Sequence, residues 1–123
     1  MAYPSGSGSE RLQRGTIHNM VNADTAFRFD GGITATGTSS YTVPANHIIT
    51  VLTIVITDQT NTAKWFNLWA NDISFVKEQT VNADSTYVWN DRFVLHPADK
   101  LYIDGQTSAN FDVFYTYLDQ NWE

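Results

Sequence analysis

The side chains with catalytic or metal-binding chemistry are three histidines and a set of aspartates spread along the chain. His18, His47 and His96 each stand alone in a separate segment. No H-x-H pair follows a predicted strand and no H-E-x-x-H motif occurs, so the spacing predicts no metal site. The chain has no cysteine, which excludes thiolate ligands, a cysteine nucleophile and disulfide bonds.

Three aspartates near the C-terminus, Asp104, Asp112 and Asp119, are candidates for the paired carboxylates of a glycosidase. Asp112, however, alternates with apolar residues on a predicted solvent-facing side, and Asp104 precedes a glycine in an ordinary turn sequence. The serines lie in Gly/Thr-rich turns without a nucleophile elbow. We therefore expect a protein that is not an enzyme and that uses neither a cofactor nor a metal.

The segments that must position these residues alternate apolar and polar side chains with the period of a β-strand. Short strands separated by frequent turn signals, without helical periodicity, indicate an antiparallel sandwich or jelly roll. We predict an all-β fold, a jelly-roll-like antiparallel β-sandwich over residues 26–123, with an extended N-terminal arm over residues 1–25. The predicted strands are 26–30, 40–43, 47–57, 64–70, 73–81, 85–89, 92–95, 100–104 and 111–118.

The same alternation predicts which side chains fill the space between the two sheets, because one face of every strand must supply the core. The predicted core residues are Leu52, Ile54, Ile56, Phe66, Leu68, Leu101, Ile103, Phe111 and Val113.

Apart from Met1, the first 16 residues hold only Tyr3 and Leu12 as large apolar residues, and Gly and Ser alternate over 5–9. This composition lacks the apolar region of a secretory signal. We interpret the segment as an arm that orders on binding. An expression scar, or a tail that its arginines merely keep soluble, are the alternatives. The expected capsid-binding anchors of the arm are Arg11, Leu12, Arg14, Ile17 and Met20.

The net charge of −6 argues against nucleic acid as the main partner. Residues 1–28 carry three arginines against two carboxylates, whereas the remainder carries four basic residues against eleven carboxylates. This asymmetry suggests a basic arm that docks on an acidic surface. The chain has no apolar run long enough to span a membrane, and its acidic body argues against a membrane surface as partner.

Large aromatic side chains fall on strand faces that should be polar if they met only water. The residues are Trp65, Trp69, Tyr102 and Phe114. They could hold sugar rings, form the core of a protein interface, or be covered by the N-terminal segment or a long loop. Because they lie on several strands and are mixed with aliphatic residues, we expect a broad contact with protein.

Residues 41–118 resemble the small β-sandwich proteins of tailed-bacteriophage virions. The similarity lies in "YTVPANH" (41–47), the long Val/Ile strand with a short "NT" loop, "LWAND" (68–72), the "LHPADKL" hairpin (95–101) and the closing "FDVFYTYL" strand (111–118). The resemblance implies a structural role in a virion. We expect a head decoration (cement) protein that binds across neighbouring major capsid subunits and stabilises the head, with a carbohydrate-binding tail-fibre or appendage module as the alternative.

This interpretation carries expectations about partners and location. The expected partner is the major capsid protein, with neither nucleic acid nor a membrane involved. A symmetric homo-oligomer, a trimer before a dimer, would bury the exposed aromatic residues. The protein would be made in the host cytoplasm and reside on the capsid surface of the virion.

Overall fold

The computed structural model describes residues 9–31, 33–34, 37 and 40–122. All the regular secondary structure in these ranges is β-strand. The strands form two sheets, which confirms the predicted all-β sandwich. In chain order the strands are β1 (Ser9–Met20), β2 (Thr25–Ala26), β3 (Ile33–Thr34), β4 (His47–Asp58), β5 (Lys64–Ala70), β6 (Ile73–Val81), β7 (Thr86–Trp89), β8 (Phe93–Leu95), β9 (Leu101–Gly105) and β10 (Phe111–Asn121).

The six-stranded sheet has the order β3-β1-β10-β4-β7, with β8 pairing alongside β7 on the same strand β4. The four-stranded sheet has the order β2-β9-β5-β6. All pairings are antiparallel except the short parallel contact of β1 with β3. From β4 to β10 the chain crosses from one sheet to the other four times, so every turn stands at one end of the sandwich or the other.

The predicted core is confirmed at every position except Leu52, which is only half-buried. The reason is a bulge in β4: Thr116 of β10 pairs with Thr53, whereas Tyr117 pairs with Val51, so Leu52 is an extra residue. A bulge reverses the alternation of side chains between the two faces. Val51, which strict alternation with an inward Leu52 would place on the outer face, is therefore fully buried.

The N-terminal segment is the largest correction. The sequence predicts a separate arm over residues 1–25, but β1 lies between β10 and β3 and pairs with β10 from Ser9 to Met20. Ile17 and Met20, predicted as capsid anchors, are buried in the core. The sandwich therefore begins by residue 9, not at residue 26, while residues 1–8 lie outside the described part of the chain.

Two further predicted strands differ from the structure. Only Thr25–Ala26 of the region around 26–30 pairs as a strand, although Phe27 and Phe29 are buried in the core. Residues 40–43 form no strand. Instead Val43 is buried and its backbone N–H donates to the Asp99 carbonyl at 2.9 Å, which joins the turn after Pro44 to the turn that begins at Pro97.

Candidate functional site

The outward side chains of the six-stranded sheet form an apolar surface, which we call the apolar face. Antiparallel pairing sets its side chains in rows across the sheet. One row runs Leu12, Leu118, Thr50 and Val94, and another runs Thr16, Phe114, Val55 and Val88. Four of these side chains are large, apolar and exposed: Leu12 (73%), Val94 (50%), Val88 (48%) and Phe114 (40%).

Between the two apolar rows lie Arg14, Thr116 and Thr53, so this part of the face combines threonines with an arginine. The hydroxyls of Thr57 and Thr86 bond each other at 3.0 Å in the next row beyond Val55 and Val88, where Thr57 pairs with Asp112. The Arg14 guanidinium lies 5.7 Å from the centre of the Phe114 ring, within cation–π range. An arginine beside an aromatic ring, among apolar and threonine side chains, is typical of the core of a protein interface. Two predicted anchors, Leu12 and Arg14, thus join Phe114 on one surface.

A groove of about 330 Å³ at one corner of the apolar face contains a histidine–aspartate pair. The Nδ1 atom of His18 lies 2.9 Å from Oδ1 of Asp112, and the Asn19 backbone N–H donates to the same oxygen at 3.0 Å. The hydroxyl groups lining the groove belong to Thr16 and Thr57. The pair orients an imidazole, as the base of a hydrolase needs. The described lining residues of the groove, however, include no serine or cysteine that could serve as its nucleophile.

A second histidine–aspartate pair joins the other end of β10 to β4. Nδ1 of the half-buried His47 lies 2.7 Å from Oδ1 of the buried Asp119. The sequence treats these histidines as isolated, because 94 residues separate one pair and 72 the other. Strand order, which composition does not reveal, brings them together. No group of three or more His, Cys, Asp or Glu side chains suited to a metal ion occurs in the described ranges.

The outward side of the four-stranded sheet has a different chemistry, and we call it the aromatic–carboxylate face. Phe66 and Leu68 of β5 point into the core, so Trp65, Asn67 and Trp69 point outward. The rings of Trp69 and Tyr102 stack, with centres 5.9 Å apart and planes 3° from parallel. The Nζ atom of Lys100 lies 4.6 Å from the centre of the Tyr102 ring.

A carboxylate is held beside this aromatic pair. Asn67, itself buried, donates from Nδ2 to Oδ1 of Asp104 at 2.7 Å, and its own Oδ1 accepts the Glu78 backbone N–H at 2.6 Å. Burial raises the pKa of Asp104, the Asn67 amide and the Trp69 indole N–H lower it, and the nearby Asp24 raises it further. The Trp69 Nε1 atom is buried without a partner in hydrogen-bond geometry.

The four predicted interface aromatics therefore do not form one site. Trp65, Trp69 and Tyr102 lie on the aromatic–carboxylate face, whereas Phe114 lies on the apolar face, on the opposite side of the sandwich. Sequence alternation identifies which side chains point outward, but it does not say which sheet a strand joins. The separation gives each surface a composition of its own.

An apolar cleft at the open edge between the sheets was not predicted. Phe75 of β6 packs against Trp89 and Phe93 with ring centres 5.3 Å apart in both cases. These rings line a cavity of about 380 Å³ together with the exposed residues Ile73 and Val94. The sequence signal for this cleft is the alternation in the short strands β7 and β8, which turns Trp89 and Phe93 inward.

No protein-family model matches this sequence, and neither does any curated protein. In the described part of the chain there is no helix long and apolar enough to cross a membrane.

Proposed function

We propose that this protein is a structural component of a phage virion, a head decoration protein that binds across neighbouring major capsid subunits through its apolar face. The observation that carries the proposal is that four exposed apolar side chains stand in two rows on the same side of one sheet. They are Leu12 and Val94 in one row, and Phe114 and Val88 in the other. Monomeric soluble proteins rarely leave a contiguous apolar surface of this kind without a partner.

The strand order supports the jelly-roll form of the sandwich that the sequence resemblance implies. When the two-residue β3 is set aside and β7 and β8 are counted together, one sheet reads β1-β10-β4-β7/β8 and the other β2-β9-β5-β6. Two Greek keys wound together produce this alternation of strands between two sheets, and viral capsid domains use it widely.

The apolar face also suits the proposed partner energetically. A protein of net charge −6 loses little by bringing a surface of mainly apolar and threonine side chains against another protein. The exposed Leu12 and Arg14 widen the contact beyond Phe114, and because they stand on a paired strand they lose little conformational freedom on binding.

We further propose a symmetric homo-oligomer on the capsid surface, a trimer before a dimer. The cleft between β6 and β8 supports self-association, because the exposed Ile73 and Val94 flank the ring cluster there. Closed symmetry is the usual way in which identical chains bury such surfaces. Sedimentation of a monomer at high protein concentration would contradict this part of the proposal.

Imaging of undecorated phage heads mixed with the purified protein tests the proposed function. The proposal predicts density on the capsid surface that bridges adjacent major capsid subunits, with the outer side of the six-stranded sheet against the shell. Absence of bound protein, or density confined to the tail, would overturn it.

A further inference from the structure

The apolar cleft at the open edge between the sheets has an aromatic end. The ring of Phe75 on β6 packs against Trp89 of β7 and Phe93 of β8, with centres 5.3 Å apart in both cases, and the Trp89 and Phe93 rings are 6.4 Å apart. Their planes are inclined to one another by 60° to 75°, so the rings form a corner instead of a stack. All three side chains are half-buried and line the cavity of about 380 Å³. This end of the cleft therefore offers apolar ring surface on more than one side.

A carboxylate lies at the other end of the same cavity. Asp99 is one of the residues that line it. Oδ1 of Asp99 accepts a hydrogen bond from Nδ2 of Asn71 at 3.1 Å, and Oδ2 accepts the His96 backbone N–H at 2.8 Å. These two donors directly follow the lining residues Ala70 and Leu95 in the chain. The carboxylate is therefore oriented at the end of the cleft that Ala70 and Leu95 form.

The negative charge of Asp99 has no ion-pair partner among the described residues. Its two hydrogen-bond donors are a side-chain amide and a backbone N–H, both neutral, and a carboxylate can accept about four hydrogen bonds. Lys100 follows Asp99 in the chain, but its ammonium lies 4.6 Å from the centre of the Tyr102 ring on the aromatic–carboxylate face. Asp99 thus keeps both its charge and acceptor capacity for a cation in the cleft.

The turns that border the cleft carry more negative than positive charge. Asp72 directly precedes β6. The backbone carbonyl of Asp91 accepts the Trp89 indole N–H at 2.7 Å, which places this turn beside the ring cluster, and Arg92 follows it. With Asp99 included, three carboxylates stand against one arginine in these turns. A surface of this composition attracts cations and repels anions.

The spacing between the two ends of the cleft limits the length of a ligand. Phe75 stands two positions along β6 from Ile73, which pairs with Ala70 at the carboxylate end. Phe93 likewise stands two positions along β8 from Leu95. Because a strand advances about 3.4 Å per residue, the rings and the carboxylate end are roughly 7 Å apart. An aromatic ring joined to an ammonium group through a short alkyl chain suits this distance.

We propose that this cleft binds a small organic ammonium ion, whose apolar ring packs among Phe75, Trp89 and Phe93 and whose ammonium group donates to Asp99. Burial of the ring supplies most of the affinity, because removal of apolar area from water is the main favourable contribution. The carboxylate supplies the selectivity, since a charge-assisted hydrogen bond is stronger than a neutral one. Neutral analogues should therefore bind more weakly, and anionic analogues should be repelled.

The inference does not rest on the proposed capsid role, because the binding is a property of the isolated protein. The cleft lies at the edge of the sandwich between β6 and β8, whereas Phe114 stands on β10, in the middle of the six-stranded sheet. Ile73 (70% exposed) and Val94 (50%) flank the half-buried rings. A small ligand among the rings therefore leaves these two side chains for contact with a second copy.

An NMR titration of the isotope-labelled intact protein with phenethylamine tests the proposal, with phenethyl alcohol and hydrocinnamate as the neutral and anionic analogues. We expect the Trp89 indole N–H signal to shift to saturation with the amine, at a dissociation constant of about 1 mM or lower. The alcohol should bind about tenfold more weakly, because it lacks the charge-assisted hydrogen bond. Hydrocinnamate should leave the signal in place.

Two variants test the two parts of the site. Asp99→Asn removes the charge and keeps an acceptor oxygen, so the amine should bind about as weakly as the alcohol does. Ala70→Leu fills the carboxylate end of the cavity without removing a core side chain, and should weaken binding of both compounds about tenfold or more. Asp84→Asn, in the turn at the far end of β6, is the matched control for charge and should bind as the wild type does.

Circular dichroism spectra and melting temperatures report whether the variants keep the fold, and the comparison of the three compounds on the wild type depends on no variant. Failure of the amine to reach saturation, equal binding of the three compounds, or preference for hydrocinnamate would overturn the proposal. Retention of the full preference for the amine in Asp99→Asn would overturn it as well.

Discussion

The ring of Tyr115 lies directly against the backbone of Gly15, in space that any other residue's side chain would need. A methyl group at position 15 would overlap the ring and its hydroxyl. That hydroxyl donates to the Arg28 carbonyl at 2.6 Å and accepts the Arg28 backbone N–H at 2.9 Å, so the ring has little freedom to move away. Gly15 thus joins β1, β10 and the segment after β2.

We expect Gly15→Ala to lower the free energy of unfolding by about 1–3 kcal/mol, as overpacking of a filled core does. The measurement is urea unfolding followed by circular dichroism. Thr16→Ala, one residue along on the outward side of the same strand, is the matched control and should change the unfolding midpoint little. An unchanged midpoint in Gly15→Ala would show that the ring can move aside.

Strand β1 is predicted to be necessary for folding. Ile17→Ala should cost about 2–5 kcal/mol, because it leaves a cavity beside Val113 in the core. Deletion of residues 9–20 should prevent cooperative unfolding altogether, since it removes the neighbour of β10. Deletion of residues 1–8 removes none of the described contacts and is the control. A cooperative thermal transition in the protein lacking residues 9–20 would restore the interpretation of the whole segment as a free arm.

Alkaline pH should destabilise the protein through Tyr117. Its hydroxyl donates to Oε1 of Gln13 at 3.1 Å and accepts the Gly31 backbone N–H at 3.0 Å, while burial raises its pKa from 10 to about 12. Between these pH values the unfolded chain has lost the proton and the folded chain retains it. The folded state then binds more protons, so the free energy of unfolding falls as the pH rises through this window.

Urea unfolding at intervals across the same pH window checks the Tyr117 prediction. Tyr117→Phe should show a shallower fall in the free energy of unfolding, because it has no proton to lose. The comparison at neutral pH gives the constant cost of the missing Gln13 and Gly31 hydrogen bonds. Identical slopes for the wild type and the variant would contradict the prediction.

The strands after residue 46 could be predicted closely because they are rich in β-branched and aromatic residues and are separated by clear turn sequences. Strand β1 could not, because its inward positions include Gln13 and Gly15, which are polar or small to accommodate Tyr117 and Tyr115. The pattern of one strand was therefore hidden by the size of the side chains on its neighbour. The bulge at Leu52 likewise depends on the pairing partner and leaves no mark in composition.

For the candidate surfaces, the sequence predicted which side chains point outward but not which of them share a surface. Alternation correctly places Trp69 and Phe114 outside the core, but only the strand order shows that they stand on opposite sheets. The His18–Asp112 and His47–Asp119 pairs are likewise products of long-range register. What the sequence lacked in each case was the identity of the neighbouring strand.

Co-sedimentation with undecorated phage heads tests most directly the central proposal that the apolar face binds the capsid. Phe114→Asp places a charge at the centre of that face, and Thr80→Asp places one at an exposed position on the outer side of the four-stranded sheet. We expect Phe114→Asp to weaken attachment about tenfold or more, with Thr80→Asp and the wild type attaching alike. Attachment of Phe114→Asp as tight as that of the wild type would contradict the account.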